Sequence, residues 1–249
     1  MNDELNLDIA PAKKKKTFKE VATVTLWSIF YFFIIVVLCV SGCLLFVRNY
    51  YSPVYIDGFS MQPTLNNNPS VNGKDVKDFG LVDTSKRIID SIELYDIVTC
   101  YYPPELGEDD YDIPYVKGDK PREDASHKIK RVVALPGQTF QIVNNDFYFF
   151  DDQDDLVGDL VDLPFKRKTN EGPIGVINTT KITLKDDEYF VMGDNWTASK
   201  DCADYNHPIY KDNIVGVLIA IIGTCQVERL DNGKHKIINK QYHWPVFYK

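Results

Sequence analysis

Between Val21 and Val47 the chain carries no charged residue, and the run is bounded by Lys19-Glu20 on one side and Arg48 on the other. A helix of that length rises about 40 Å against a hydrocarbon core of roughly 30 Å, so the pattern predicts one tilted membrane-spanning helix. After Tyr51 the pattern changes to short apolar runs broken by Gly, Pro, Asn and Asp, the punctuation of strands and turns. These runs are Val54-Tyr55-Ile56, Phe79 to Val82, Asp96 to Tyr102, Ile129 to Leu135, Phe140 to Val143, Asp146 to Phe150, Glu188 to Met192 and Ile214 to Ile222. No long amphipathic helix competes with them beyond residue 50. The expected fold is mainly β: one N-terminal transmembrane helix followed by a β domain. Two polar, turn-rich segments, Asn66 to Asp78 and Pro103 to His127, are expected to be surface loops.

Charge sets the topology. Lys13-Lys14-Lys15-Lys16 precedes the apolar run and no comparable cluster follows it closely, so residues 1–20 are expected in the cytoplasm, 21–47 in the membrane and 48–249 outside. The formal net charge is −8 and no basic stripe stands out, which argues against a nucleic-acid partner. A cleaved secretory signal would have a shorter apolar region and a small-x-small site after it. Val40-Ser41-Gly42-Cys43 looks like a lipidation site, yet Leu44 to Val47 continue the apolar run past the cysteine. An uncleaved anchor is the expectation. Of the 5 cysteines, Cys39 and Cys43 lie in the span; Cys100, Cys202 and Cys225 permit at most one disulfide, and no zinc-ligand spacing is present.

Three strings hold candidate chemistry. In Asp57-Gly58-Phe59-Ser60-Met61-Gln62-Pro63-Thr64-Leu65 a serine sits between a glycine-containing turn and a proline, which can present its hydroxyl at a strand end. In Ile129-Lys130-Arg131-Val132-Val133-Ala134-Leu135-Pro136-Gly137 a lysine lies within an apolar strand. A buried ammonium is costly, so its pKa falls, and a neutral amine is a competent general base. Either residue alone has a plainer reading, a turn serine or a lysine reaching solvent from a strand edge. The third string, Met192 to Cys202, is a tight polar loop after a β run. His127, His207, His235 and His243 lie in no ligand or triad motif.

In this order after one membrane helix, the strings resemble those of the bacterial type I signal peptidases. The family's S-M-x-P-T-L, G-D-I-V, K-R-V-x-x-L-P-G and G-D-N-x-x-x-S-x-D correspond to Ser60 to Leu65, Tyr95 to Val98, Lys130 to Gly137 and Gly193 to Asp201. The resemblance implies a β catalytic domain on the outer membrane surface with a smaller β insertion at about 140–187. It implies removal of signal peptides from exported preproteins, after small residues at −1 and −3, by acyl-enzyme catalysis. Ser60 would be the nucleophile and Lys130 its base, with Ser199 orienting the amine and Asp194, Asp201 and Arg131 supporting the site. Val54, Ile56, Met61, Leu65 and Ile129 would line the substrate pockets. No metal or cofactor is implied. The implied partners are preproteins and lipid at the membrane surface, near the secretion translocon.

Four positions depart from the family pattern. Gly58 stands where many members carry a serine, Trp196 and Ala203 replace common arginines, Lys128 replaces a frequent aromatic, and Tyr95 replaces the usual glycine. A self-cleaving repressor with a Ser-Lys pair would need a helix-turn-helix and no membrane helix. The signal peptidase of the endoplasmic reticulum uses histidine where this chain has Lys130, and there Asn195-Trp196-Thr197 would be a glycosylation acceptor. A dedicated enzyme, or a silent relative serving pilus or surface-protein assembly, is the alternative from another class.

Overall fold

The computed structural model describes residues 17–66, 70–71, 74–101, 128–151, 153, 155–157, 176–230 and 235–249. Lys13 to Lys16 and Pro103 to His127 lie outside the described residues, as does much of the expected insertion.

The chain divides into two compact units, residues 1–49 and 50–249. The first contains helix α1 (Phe18–Tyr50), whose apolar stretch is long enough to cross a membrane and has no side chain packed inside the protein. Within it Thr23, Thr25 and Ser28 each donate to the carbonyl four residues back, so these hydroxyls need no water.

The second unit is mainly β. In chain order it holds β1 (Tyr51–Tyr55), β2 (Ser70–Val71), β3 (Lys74–Asp75), β4 (Lys77–Asp83), α2 (Lys86–Ile89), β5 (Ile97–Cys100) and β6 (Lys128–Ala134). There follow β7 (Thr139–Val143), β8 (Asp146–Phe150), β9 (Ile182–Thr183), β10 (Glu188–Met192), α3 (Cys202–Tyr205), β11 (Ile209–Tyr210), β12 (Ile214–Arg229) and β13 (His235–Phe247). The main sheet runs β1-β4-β12-β5-β6-β10-β11, with β13 also paired to β12. A separate three-stranded sheet has the order β8-β7-β9, and β2 with β3 forms a short hairpin in the segment expected to be a loop. Each of the eight apolar runs overlaps a strand.

Register shifts along β12, where it pairs with β4, β5 and β13, are the irregularities that bend a long strand and let one element serve several partners. β12 runs to Arg229, past the expected Ile222, because β13 supplies its ladder there. β13 itself was not foreseen. Most of its side chains are exposed, so it carries no apolar alternation to announce it, and backbone pairing alone makes it a strand.

Two apolar cores result. The larger joins the main sheet to the three-stranded one: Phe140 of β7 meets Phe190 of β10 edge-on at 4.7 Å, and Phe147 of β8 stacks on Phe140 at 6.1 Å. All three rings are essentially inaccessible, and burying each stabilises the fold by about 1.5–3 kcal/mol. The smaller core lies beneath the turn that follows β1. It contains Ile56, Met61 and Leu65 together with residues of β4, β5 and β12.

Candidate active site

Ser60 lies in the turn that leaves β1. The turn depends on Gly58, whose φ of 82° is a conformation that side chains disfavour. Its N–H donates to Asp57 Oδ1 (2.8 Å), and Asp57 is paired with Lys77 of β4 (2.7 Å). Asn66 donates its Nδ2 to the Gly58 carbonyl (2.9 Å) and holds the far side. The third string clamps the serine: the Asn195 N–H donates to the Ser60 carbonyl (2.8 Å), and Asn195 Nδ2 donates to the Phe59 carbonyl (3.1 Å). Gly193 allows this approach, because a Cβ there would stand 2.5 Å from the Ser60 carbonyl oxygen and against the Ser199 hydroxyl. Asn195 thus positions the serine through backbone groups, a role that its presence in a polar loop did not disclose.

Lys130 stands on β6, a strand paired on both sides. It is opposite Val98 of β5, and its neighbours Arg131 and Val132 pair with Met192 and Val191 of β10. A strand held on both edges fixes where the side chain starts. The lysine is buried, and its Nζ donates to Ser60 Oγ at 3.0 Å. Burial pulls its pKa below the usual lysine value; the Asp201 carboxylate is the chief opposing influence. Lys128, two residues earlier, is half-buried opposite Cys100, and it is Lys130 that reaches the Ser60 hydroxyl.

The expected contact from Ser199 to the lysine amine is not what the structure contains. Ser199 Oγ donates to Asp201 Oδ2 at 2.5 Å. That carboxylate lies two residues away, and α3 fixes it in place. Asp201 is the N-cap of α3, accepts from the Ala203 N–H (3.1 Å) and forms a capping box with Asp204. It also accepts the Gly193 N–H (2.8 Å). Burial raises its pKa, while the Ser199 and Gly193 hydrogen bonds and the Lys130 charge act against that rise. Ser199 therefore acts on Asp201, which in turn is the charge that Lys130 senses.

Arg131 accounts for Asp194. The two form a bidentate buried pair, Nε to Oδ1 at 2.8 Å and Nη2 to Oδ2 at 2.6 Å. Arg131 also donates to the Tyr95 carbonyl (2.9 Å) and to Thr64 Oγ1 (3.5 Å), which joins all four strings around one guanidinium. Tyr95 has a φ of 75°, the left-handed region, which explains why glycine suits this position and marks a local strain of about 1–2 kcal/mol. Trp196 and Ala203 extend the apolar core instead of forming ion pairs: the Trp196 ring lies 6.3 Å from Phe147, and Ala203 is buried. Cys100, Cys202 and Cys225 are buried free thiols.

The five expected pocket residues come together in one apolar cluster. Ile56, Met61 and Leu65 are buried within it, whereas Val54 and Ile129 are half-buried at its surface. The first three are shut off from solvent, and the last two keep partial exposure. Tyr248 joins the same surface and was not anticipated.

The profile of a family described as signal peptidase, peptidase S26, matches residues 26–222. Signal peptidase I P of Bacillus subtilis subsp. natto is 28% identical over 210 residues, 82% of this chain and 90% of that protein. Signal peptidase I S of Bacillus subtilis (strain 168) is 29% identical over 164 residues, 63% of this chain and 69% of that protein. A crystal structure of a signal peptidase I from Enterococcus faecalis V583 matches 51% of this chain and 96% of its own at 17% identity, with a TM-score of 0.32.

Proposed function

Since the chain belongs to the signal peptidases of family S26, we propose that it is a membrane-anchored serine endopeptidase that removes signal peptides from exported preproteins, with Ser60 as nucleophile and Lys130 as base. The observation that carries this reading is the buried Lys130 amine 3.0 Å from the Ser60 hydroxyl.

The chemistry follows from that pair. The neutral amine takes the hydroxyl proton as Ser60 Oγ attacks the scissile carbonyl carbon. The oxyanion that forms is stabilised by the Ser60 N–H, which makes no hydrogen bond among the described residues and so is available. Collapse breaks the C–N bond, and Lys130 returns the proton to the departing amine of the mature protein. The signal peptide is left as an ester on Ser60. Lys130 then deprotonates a water that hydrolyses the ester, and the serine is regenerated. Asp201 moderates the desolvation of the amine, and the Arg131–Asp194 pair keeps β6 against the Gly193 loop.

The apolar cluster supports specificity for small side chains. A purified sample acting on a preprotein should produce a new N-terminus immediately after Ala, Gly or Ser. A bulky aromatic at −1 should reduce turnover about a hundredfold or more, since Ile56, Met61 and Leu65 of the cluster are already buried. Equal cleavage of the aromatic variant would remove the pocket assignment. An assembly factor without catalysis would have no use for a buried lysine beside a serine, which weighs against the silent alternative.

The anchor and Lys13 to Lys16 support a cytoplasmic N-terminus, with residues 49–249 facing outward at the bacterial cell membrane among preproteins, lipid and the translocon. Protease added to intact spheroplasts should digest the large domain and spare an N-terminal tag; a tag digested from outside would reverse the orientation.

A further inference from the structure

A peptide laid across the smaller apolar core can touch only those members that keep exposed surface. Three side chains at its edge do so: Val54, Ile129 and Tyr248. Val54 belongs to the strand that leads into the Ser60 string, and Ile129 precedes Lys130 on β6. Tyr248 comes from elsewhere, directly after β13 and beyond the residues 26–222 that match the family.

Its backbone and its phenol are both held. The Tyr248 N–H donates to the Ile219 carbonyl of β12 (2.9 Å), and the phenol donates to the Thr64 carbonyl (3.3 Å) within the Ser60 string. The next residue secures the segment, because Lys249 Nζ donates to Asp96 Oδ2 at 2.6 Å, to Glu93 at 3.3 Å and to the Ser91 carbonyl at 3.2 Å. Asp96 is itself buried at the head of β5. A large side chain fixed in this way forms a stiff wall, since swinging aside would break the Thr64 contact and expose the apolar core beneath.

We infer that Tyr248 is a specificity-determining residue: it bounds the cleft that receives substrate side chains and limits their size. This rests on the signal-peptidase reading of the site. Removing the ring should open space for several methylenes, and one methylene in an apolar pocket is commonly worth about tenfold or more in discrimination.

The test uses the full chain in detergent and a preprotein made in three forms: Ala at both −1 and −3, Leu at −1 only, and Leu at −3 only. The kcat/KM ratio of the Ala form to each Leu form is measured for wild type, Tyr248→Ala and Tyr248→Leu. A ratio removes any general loss from weakened packing, because such a loss lowers all three rates together. At least one ratio should fall about tenfold in Tyr248→Ala and by an intermediate factor in Tyr248→Leu, which also carries the test should the alanine variant not fold. Both ratios unchanged in a variant that still cleaves the Ala form would overturn the inference while leaving the proposed function intact. A wild-type sample unable to cleave the Ala form would overturn both.

Discussion

Lys130→Met is expected to abolish preprotein cleavage, with a loss of about a thousandfold or more, whereas Lys128→Ala should chiefly change substrate affinity. Methionine keeps the length and apolar stem of the side chain, so the packing around β6 survives and the proton acceptor alone is lost. Lys130 is buried and its amine lies within hydrogen-bond distance of the Ser60 hydroxyl. An ordinary lysine would be under about one per cent neutral at pH 8. Burial lowers the value for this one, so its neutral fraction exceeds that of an exposed lysine at the same pH. The acidic limb of the kcat/KM profile should therefore fall below the ordinary lysine value of 10.5. Stability should follow the same group. Between the lowered folded value and 10.5 the unfolded chain binds more protons at this position than the folded chain, so folding is favoured as pH rises through that window. Lys130→Met should remove that increment from a denaturation series. If Lys128→Ala is inactive and Lys130→Met retains substantial activity, the base has been assigned to the wrong lysine.

The elements that define the fold were legible where burial imposes a pattern. The N-terminal helix announces itself by an unbroken run of apolar residues long enough to cross a membrane, and the strands of the two cores do so because one or both of their faces are buried and carry apolar residues. β13 escaped because it is held by backbone ladders while its side chains, Trp244 among them, face outward. The candidate site divides in the same manner. Ser60 and Lys130 were readable from short strings that lie far apart in sequence yet meet in space. Ser199 gives its proton to Asp201, whose place is set by the capping geometry of α3, a partner that the strings did not disclose. Asn195 acts through main-chain groups, and Tyr248 belongs to no string; each becomes visible only once the chain has folded.

Ser60→Ala is expected to reduce cleavage at least about ten-thousandfold, because the variant has no oxygen to form the ester. The loss should not come from unfolding. Ser60 is half-buried, its carbonyl contact to Asn195 is unaffected by the substitution, and the change in stability should be within about 1 kcal/mol. The most direct measurement incubates wild type and Ser60→Ala, at equal concentration and with matched melting curves, with one preprotein and identifies any new N-terminus. The expected result is a single cut after a small residue by the wild type and no cut by the variant; cleavage of the same bond by Ser60→Ala at a comparable rate would contradict the assignment of Ser60 as the nucleophile.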